Sequence, residues 1–335
     1  MTDPLVSINM ITYNHAPFIA QSIDGVLHQK TNFPFELVIG EDCSTDATRK
    51  IVLEYQIKYP DIIRVIISSE NVGMKKNFRR TQKACRGTYM AYCEGDDYWH
   101  HPDKLQKQVD YMECHPECGM VFSDCDIYHN KSMEIRRSVR YSDGYQSLEK
   151  FGIEQIVGYE KIGRWPWTCT AMVRRDLCEQ VVENDPYLHQ SEKFLLGDLQ
   201  VWAELALISE VIYMPESLAT YRINDVSVTN NIDLKKNLLF GISISELRMY
   251  LCDKHKLSEN IRRQSESVWC DKSLQLAFID KNAKLALEVK KKQLRFTWQE
   301  WFRYFGAKYL VIHYGFRAAV LFRNLFRKQL DPLET

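Results

Sequence analysis

The feature that most constrains the fold of this 335-residue chain is the rhythm of its first 130 residues. Short runs rich in Val, Ile, Met and Tyr at residues 5–11, 35–39, 62–67, 88–93 and 119–122 read as strands. Between them, residues 16–28, 46–58, 75–84 and 104–114 show helical spacing, with Pro17, Thr45 and Pro102 standing where helices start. This alternation predicts an α/β fold, a mostly parallel central sheet flanked by helices. Such sheets bind ligands beyond the carboxyl ends of their strands, so chemistry is expected directly after each strand.

The residues at those positions are polar and acidic. Strand one runs out into Thr12-Tyr13-Asn14, strand two into Glu41-Asp42-Cys43-Ser44-Thr45-Asp46, and strand four into Glu94-Gly95-Asp96-Asp97. Carboxylates gathered at one sheet edge are costly unless paired or metal-bound. Two acidic turns therefore point to a hard cation, Mn²⁺ or Mg²⁺, and to an anionic ligand such as a nucleoside diphosphate. Ser44, Thr45 and Asp46 also suit the start of the next helix. The chain has no G-x-G-x-x-G after strand one and no G-x-x-x-x-G-K-[ST], which disfavours dinucleotide dehydrogenases and P-loop enzymes.

The ordered set SINMITYNHAPFIAQSI, FELVIGEDCSTDAT, NVGMKKNF, GTYMAYCEGDDYWHHPDKL, LLGDLQVWAEL and YRINDVSVT, covering roughly residues 5–230, resembles the family 2 glycosyltransferases with their GT-A fold. The resemblance implies that Thr12, Tyr13 and Asn14 line a nucleotide pocket, that Glu41 and Asp42 approach base and ribose, and that Asn71 and Gly73 complete that side. The EGDD turn is similar to the family's D-x-D motif, with Asp96 as metal ligand and Glu94 and Asp97 as ribose or sugar contacts or supports behind the metal. Glu94 stands where the first Asp is usual. Asp198, in GDLQVW, matches the catalytic base, because an inverting transfer needs a carboxylate to take the proton of the acceptor hydroxyl while a metal steadies the leaving diphosphate. Asp198 equally suits an N-cap for the helix behind it. Arg222 and Ser227 fall where the family closes a loop over the diphosphate. The implied donor is a nucleotide-sugar, a UDP-sugar first, and the implied acceptor a glycan or a polyprenyl-linked glycan.

Other residues divide between two readings. Trp165 and Trp167 suit stacking on a sugar or plain packing. Arg79 and Arg80 read as a solvated helix face, and His15 as a helix start. Cys114, His115, Cys118 and Cys125 lack the paired spacing of a zinc site. A sugar nucleotidyltransferase would carry a Gly-rich basic signature where ITYNHAPF stands, and a non-catalytic binding or scaffold protein has no need of both EGDD and Asp198.

Beyond residue 143 the sequence predicts a helix at 147–157, strands at 168–174 and 211–213, a helix at 198–207, and only helices after Asp233. Two domains follow, a catalytic one over 1–232 and a helical extension over 233–335. Lys and Arg together balance Asp and Glu at 44 each, so no bulk field recommends nucleic acid. The basic excess is local: Lys290 to Lys328 contains a single acid, Glu300. There Tyr304, Ala307, Val311, Tyr314, Ala318, Leu321 and Leu325 recur three and four apart, with His313, Arg317 and Arg323 off that face. A basic amphipathic helix of this kind suits an anionic membrane surface, or packing on the body or on a partner subunit. The opening MTDPLVSINMITYN does not read as a signal peptide, no run reaches the length of a membrane span, and the ten cysteines are scattered. The expected location is the cytoplasm, peripheral on the inner membrane face.

Overall fold

A computed structural model describes residues 3–158, 166–224, 233–293 and 296–309. The chain divides into two compact units, Met1–Ser227 and Val228–Thr335. The first is organised on one mixed sheet of β1 (Val6–Thr12), β2 (Phe35–Glu41), β3 (Ile63–Ile67), β4 (Tyr89–Tyr92), β5 (Tyr98–Trp99), β6 (Cys118–His129), β7 (Glu134–Arg136), β8 (Glu149–Lys150), β9 (Ala171–Arg174) and β10 (Glu210–Ile223). The main path runs β3-β2-β1-β4-β9-β6-β10-β5. Strands β3, β2, β1 and β4 are parallel neighbours, β9 runs antiparallel between β4 and β6, and β6 pairs in parallel with β10.

Strand β1 is central and almost wholly buried, which explains why it reads as a near-continuous apolar run. Ile8 and Met10, with Leu37 and Ile39 of β2, belong to one core cluster with Ile19, Ile23 and Val26 of the helix Ile19–Leu27. On β2, Gly40 lies against the helix Met74–Ala84, where Asn77 Nδ2 donates to the Gly40 carbonyl at 2.8 Å. A Cβ at Gly40 would collide with the Thr81 hydroxyl, so glycine sets the depth of this helix on the sheet.

Three segments differ from the sequence reading. Strands β6 and β10 run 12 and 14 residues, well past 119–122 and 211–213. Their polar residues hide the pattern: Ser123, Asp124, Asp126 and Thr220 are buried inside the sheet. Asp126 Oδ1 accepts from the Ser138 N–H and the Ser217 hydroxyl, and the register slips near Pro215, which has no N–H for the ladder. Only Ile153–Val157 of the expected 147–157 helix is helical, because Glu149 and Lys150 pair with β10. A helix at Arg175–Asn184 adds to the expected set.

The second unit contains the helices Leu234–His255, Glu259–Asp280, Ala283–Lys292 and Trp298–Lys308. Asp233, Ser258, Asn282 and Thr297 cap them, each side chain accepting a first-turn N–H. Its core gathers Trp269, Leu274, Ala277, Ala286 and Val289 with Tyr304 and Ala307. Val311, Tyr314, Ala318, Leu321 and Leu325 lie outside the described residues. Among the described residues no helix is long and apolar enough to cross a membrane.

One buried ion network ties the sheet together and is testable. Glu36 is 3% exposed; its carboxylate accepts from the Ser7 hydroxyl at 2.7 Å, the Arg86 Nη2 at 2.9 Å and the Arg64 Nη2 at 3.1 Å. Burial raises the pKa of this carboxyl, but Ser7, Arg86 and Arg64 together outweigh it and hold the group below its ordinary value. We expect Glu36→Gln to cost about 3 kcal/mol at neutral pH by urea denaturation, as for one partner removed from a buried pair. A lowered folded pKa means that the stabilisation is complete above the ordinary glutamate range and lost as pH falls through the folded value, so the difference between the two proteins should shrink on acidification.

Candidate active site

Because β2, β1 and β4 are parallel neighbours, their carboxyl ends open on one edge of the sheet, and the three polar turns meet there. Asn14 takes a left-handed conformation, φ 55°, which asparagine tolerates. Its N–H donates to Ser44 Oγ at 3.0 Å, and its Oδ1 accepts the Thr45 N–H at 2.8 Å. Buried Asp42 accepts the N–H groups of Val72 and Gly73, both at 2.9 Å, while Asn71 Oδ1 also accepts from Gly73 at 3.0 Å. Gly73 has φ 86°, open to glycine and strained for any other residue. Buried Glu41 accepts the Ser44 N–H and the Arg49 Nε–H, both at 2.6 Å. Thr12 is buried at the end of β1, and Tyr13 is 40% exposed on this side.

The EGDD turn presses against the end of β1. The Gly95 N–H donates to the Ile11 carbonyl at 3.0 Å, and a Cβ on Gly95 would stand 2.7 Å from Thr12 Oγ1 and 2.8 Å from His15 Nδ1. Asp96 Oδ2 accepts Asn224 Nδ2 at 3.0 Å and lies 3.9 Å from His15 Nε2. Asp97 is buried, and its Oδ1 accepts the Arg222 N–H at 2.8 Å. Arg222 is 5% exposed; its Nε donates to the Asp96 carbonyl at 2.7 Å, its Nη2 to Gln21 Oε1 at 2.6 Å, and its guanidinium faces the rings of Phe18, Tyr98 and Tyr128. The arginine is thus built into the fold behind the acidic turn. Asp198 opens the helix Leu199–Ile208, with Oδ1 accepting the Leu199 N–H and Oδ2 the Thr168 hydroxyl, both at 2.7 Å.

Burial raises the proton affinity of three acids on this side. Burial, reinforced by the charges of Asp96 and Asp198, raises the Glu94 pKa. Burial, with Asp96 and Glu94, pushes Asp97 well above the usual carboxylate range. Burial also raises Asp198, against the opposing bonds from Thr168 and Leu199. Glu94 Oε2, Thr12 Oγ1 and His15 Nδ1 are buried with no hydrogen-bond partner among the described residues, the condition in which a bound group supplies the missing partner. No group of three or more His, Cys, Asp or Glu among the described residues is spaced to hold an ion. The carboxylate oxygens of Asp96 and Glu94 are ligands of the kind a hard divalent cation takes, while the Asn224 amide nitrogen donates to Asp96 and is itself no ligand.

The structure brings together Thr12, Asn14, Glu41, Asp42, Asn71 and Gly73 on one side of the edge, and Glu94, Asp96, Asp97 and Arg222 on the other. Asp198 enters the field of Glu94. Ser227 and Trp165 lie outside the described residues. Trp167 stacks on Tyr221 at 6.3 Å and under Arg140 at 4.8 Å, a packing role. Arg79 and Arg80 are not a solvated face: Arg80 donates to Asn77 Oδ1 and the Glu41 carbonyl, and Arg79 Nη1 to the Gln190 carbonyl. His15 stands in the turn before the helix Ile19–Leu27, whose N-cap is Phe18; its carbonyl accepts from Phe18 and Ile19, and its ring faces Asp96. Sequence reasoning missed Asn224, Thr168, Arg49 and Lys75. Lys75 Nζ donates to the carbonyls of Ser191 and Phe194 at 2.6 and 2.9 Å, fastening the segment that leads to Asp198, and burial lowers its pKa to about 8. The spacing of Lys75 and Arg79, one helical turn apart and both reaching residues 190–194, was the available signal.

This α/β fold, with acidic turns gathered at one sheet edge, has counterparts among known proteins. The model of the family "Glycosyl transferase family 2" matches residues 7–182, and the chain belongs to that family. An uncharacterized protein of Mycobacterium tuberculosis is 46% identical over 230 residues, 65% of this chain and 58% of that protein, so the match spans little more than half of this relative. Bacillus subtilis TuaG, whose name assigns it provisionally as a teichuronic acid biosynthesis glycosyltransferase, is 28% identical over 235 residues, 68% of this chain and 82% of that protein. Among solved structures, the mannosyltransferase PcManGT from Pyrobaculum calidifontis, in complex with GDP-Man and Mn²⁺, aligns with TM-score 0.55 at 15% identity over 93% of this chain and 86% of that one. This likeness shows the fold, which is GT-A.

The tight seat of Gly95 yields a stability test. Gly95→Ala should cost about 1–3 kcal/mol in chemical denaturation, because the added methyl must displace the Thr12 and His15 side chains. Gly197→Ala, where nothing lies within 4 Å of the added carbon, should stay within about 0.5 kcal/mol of the parent.

Proposed function

We propose that this chain is a metal-dependent, inverting glycosyltransferase that moves a sugar from a nucleoside diphosphate sugar to a hydroxyl of a glycan or polyprenyl-linked acceptor. The observation that carries the reading is the meeting of Asp198, held by Thr168, with the acidic turn of Glu94, Asp96 and Asp97 at one sheet edge. The names of TuaG and PcManGT support the chemical class.

In this reading the two sides of the edge have different tasks. Thr12, Tyr13, Asn14, Asn71 and Gly73 form the nucleotide wall, and Glu41 and Asp42 hold that wall in shape through the backbone bonds they accept. Asp96, flanked by Asn224 and His15, holds Mn²⁺ or Mg²⁺, which when bound neutralises charge on the leaving diphosphate. Arg222 fixes the height of the Asp96 and Asp97 backbone from behind, in place of the loop-closing role its sequence position suggests. Asp198 takes the proton of the acceptor hydroxyl. Its burial raises its proton affinity toward that task, and the Thr168 hydroxyl aims the carboxylate.

Two substitutions test the division. Asp198→Asn keeps an oxygen for the Leu199 N–H and a polar group for Thr168, so donor and metal binding should persist while transfer falls by roughly 10²- to 10⁴-fold. Transfer near the parent rate would remove Asp198 from the mechanism. Asp96→Asn should instead weaken donor binding in Mn²⁺ with little effect in its absence, read by calorimetry, because a neutral amide is the poorer ligand for a hard cation.

A further inference from the structure

The helix Trp298–Lys308 presents two chemically different faces. Tyr304 and Ala307, the apolar stripe read from the sequence, are 8% and 4% exposed and form part of the core of the second unit. Gly306 lies so close to the Phe278 ring that a Cβ would overlap it, so this is the packing face. The face turned to solvent carries Trp298, Trp301, Phe305 and Tyr309, spaced three, four and four, within an arc of about 80° at 3.6 residues per turn. They are 72%, 37%, 37% and 47% exposed. Trp301 stacks on Phe305 at 5.3 Å and Phe305 on Tyr309 at 6.3 Å, so the rings make one continuous strip.

Cations border that strip. Lys290 Nζ stands 4.5 Å from the centre of Trp301 and 4.6 Å from that of Phe296, Lys308 Nζ stands 5.4 Å from that of Tyr309, and at the end of the neighbouring helix Lys291 is exposed and Lys292 makes a surface pair with Glu266 at 3.6 Å. The acid on the same helix is held in the capping box: Glu300 accepts from the Thr297 hydroxyl and from Gln293. A continuous exposed apolar strip marks an interaction surface. Rings that tolerate both hydrocarbon and water, bordered by lysine ammonium groups, match the boundary layer of a bilayer with anionic headgroups.

We propose that this aromatic face docks on an anionic lipid surface, with the rings among the headgroups and acyl boundary and Lys290, Lys291, Lys292 and Lys308 on the phosphates. The proposal deepens the reading of a polyprenyl-linked acceptor by naming what holds the chain at its membrane, and it rests on that reading for its purpose alone.

The test uses the full chain and sedimentation with vesicles of phosphatidylcholine, with and without phosphatidylglycerol, at low salt. The parent should sediment with the anionic vesicles, weakly with the neutral ones, and be released by salt. Trp298→Ala with Phe305→Ala should lower vesicle affinity by about tenfold or more, and Lys291→Gln with Lys292→Gln by roughly tenfold to thirtyfold. Ile57→Ser, an equally exposed apolar residue of the first unit, should change nothing. All these positions are exposed, and thermal unfolding in the same samples confirms the fold; Trp298→Ala alone gives a milder second variant. Parent protein that ignores anionic vesicles, or variants that bind as the parent does, would overturn the proposal. So would an aromatic variant that abolishes a concentration-dependent dimer and leaves vesicle binding intact, which assigns the face to a second copy. Donor binding, measured alongside, should be unchanged in every variant, so the loss of vesicle binding and the failure of the glycosyltransferase reading are separate results.

Discussion

The site depends on the burial of a carboxylate cluster beside the end of one central strand. Removing an ionised carboxylate from water costs several kcal/mol unless partners replace its hydration. The EGDD turn holds three carboxyl groups, and burial with their mutual charge raises the proton affinity of Glu94 and Asp97, Asp198 adding to the field at Glu94. Arg222 compensates from behind, but its hydrogen bonds run to the Asp96 carbonyl and Gln21 while its backbone N–H serves Asp97. Its charge therefore lies against the turn from the side of Gln21 and the rings of Phe18, Tyr98 and Tyr128. Burial of carboxyls this close together raises the proton affinity of Glu94, Asp97 and Asp198. In the proposed reading the same arrangement supplies both the cation site and the general base.

The two acidic turns, alike in sequence, differ in how their oxygens are used. After β2, both carboxylates are already bonded: Glu41 by the Ser44 N–H and the Arg49 side chain, Asp42 by the N–H groups of Val72 and Gly73. These bonds lock three turns into one surface and leave little capacity for chemistry. After β4, an oxygen of Glu94 has no partner among the described residues, and neither has the hydroxyl of Thr12 at the end of β1 beside it. Composition and position could not separate the two turns, because the deciding partners, Val72 at one turn and Asn224 at the other, lie far along the chain.

Legibility followed the range of the forces involved. Strands β1 to β4 and the helices between them were readable because local periodicity and buried parallel pairing agree. The lengths of β6 and β10 were not, since Asp124 and Asp126 look like loop residues until Arg140, Ser138 and Ser217 satisfy them from other elements. Arg79 and Arg80 failed for the same reason: their acceptors are the carbonyls of Gln190 and Glu41, more than thirty residues away. Where a polar residue is buried by a distant partner, short-range pattern assigns it to solvent. Asp96, Asp97 and Asp198 were singled out by motif order, which relates distant segments in a way that periodicity alone does not.

The second unit shows the limit of periodicity from another side. A helix with apolar residues on two faces gives two valid stripes, and spacing does not say which is buried. Shape decides it. Gly306 and Ala307 let the helix Trp298–Lys308 approach the helix Glu259–Asp280 closely enough for Phe278 to lie on the glycine, a depth that a face of Trp298, Trp301 and Phe305 cannot reach without pushing the helices apart. The small residues take the interior, and the bulky rings are left outside with lysines around them. A side chain's volume thus fixes which of two hydrophobic faces is core, and the face excluded from the core is the one left available to a second, amphipathic phase.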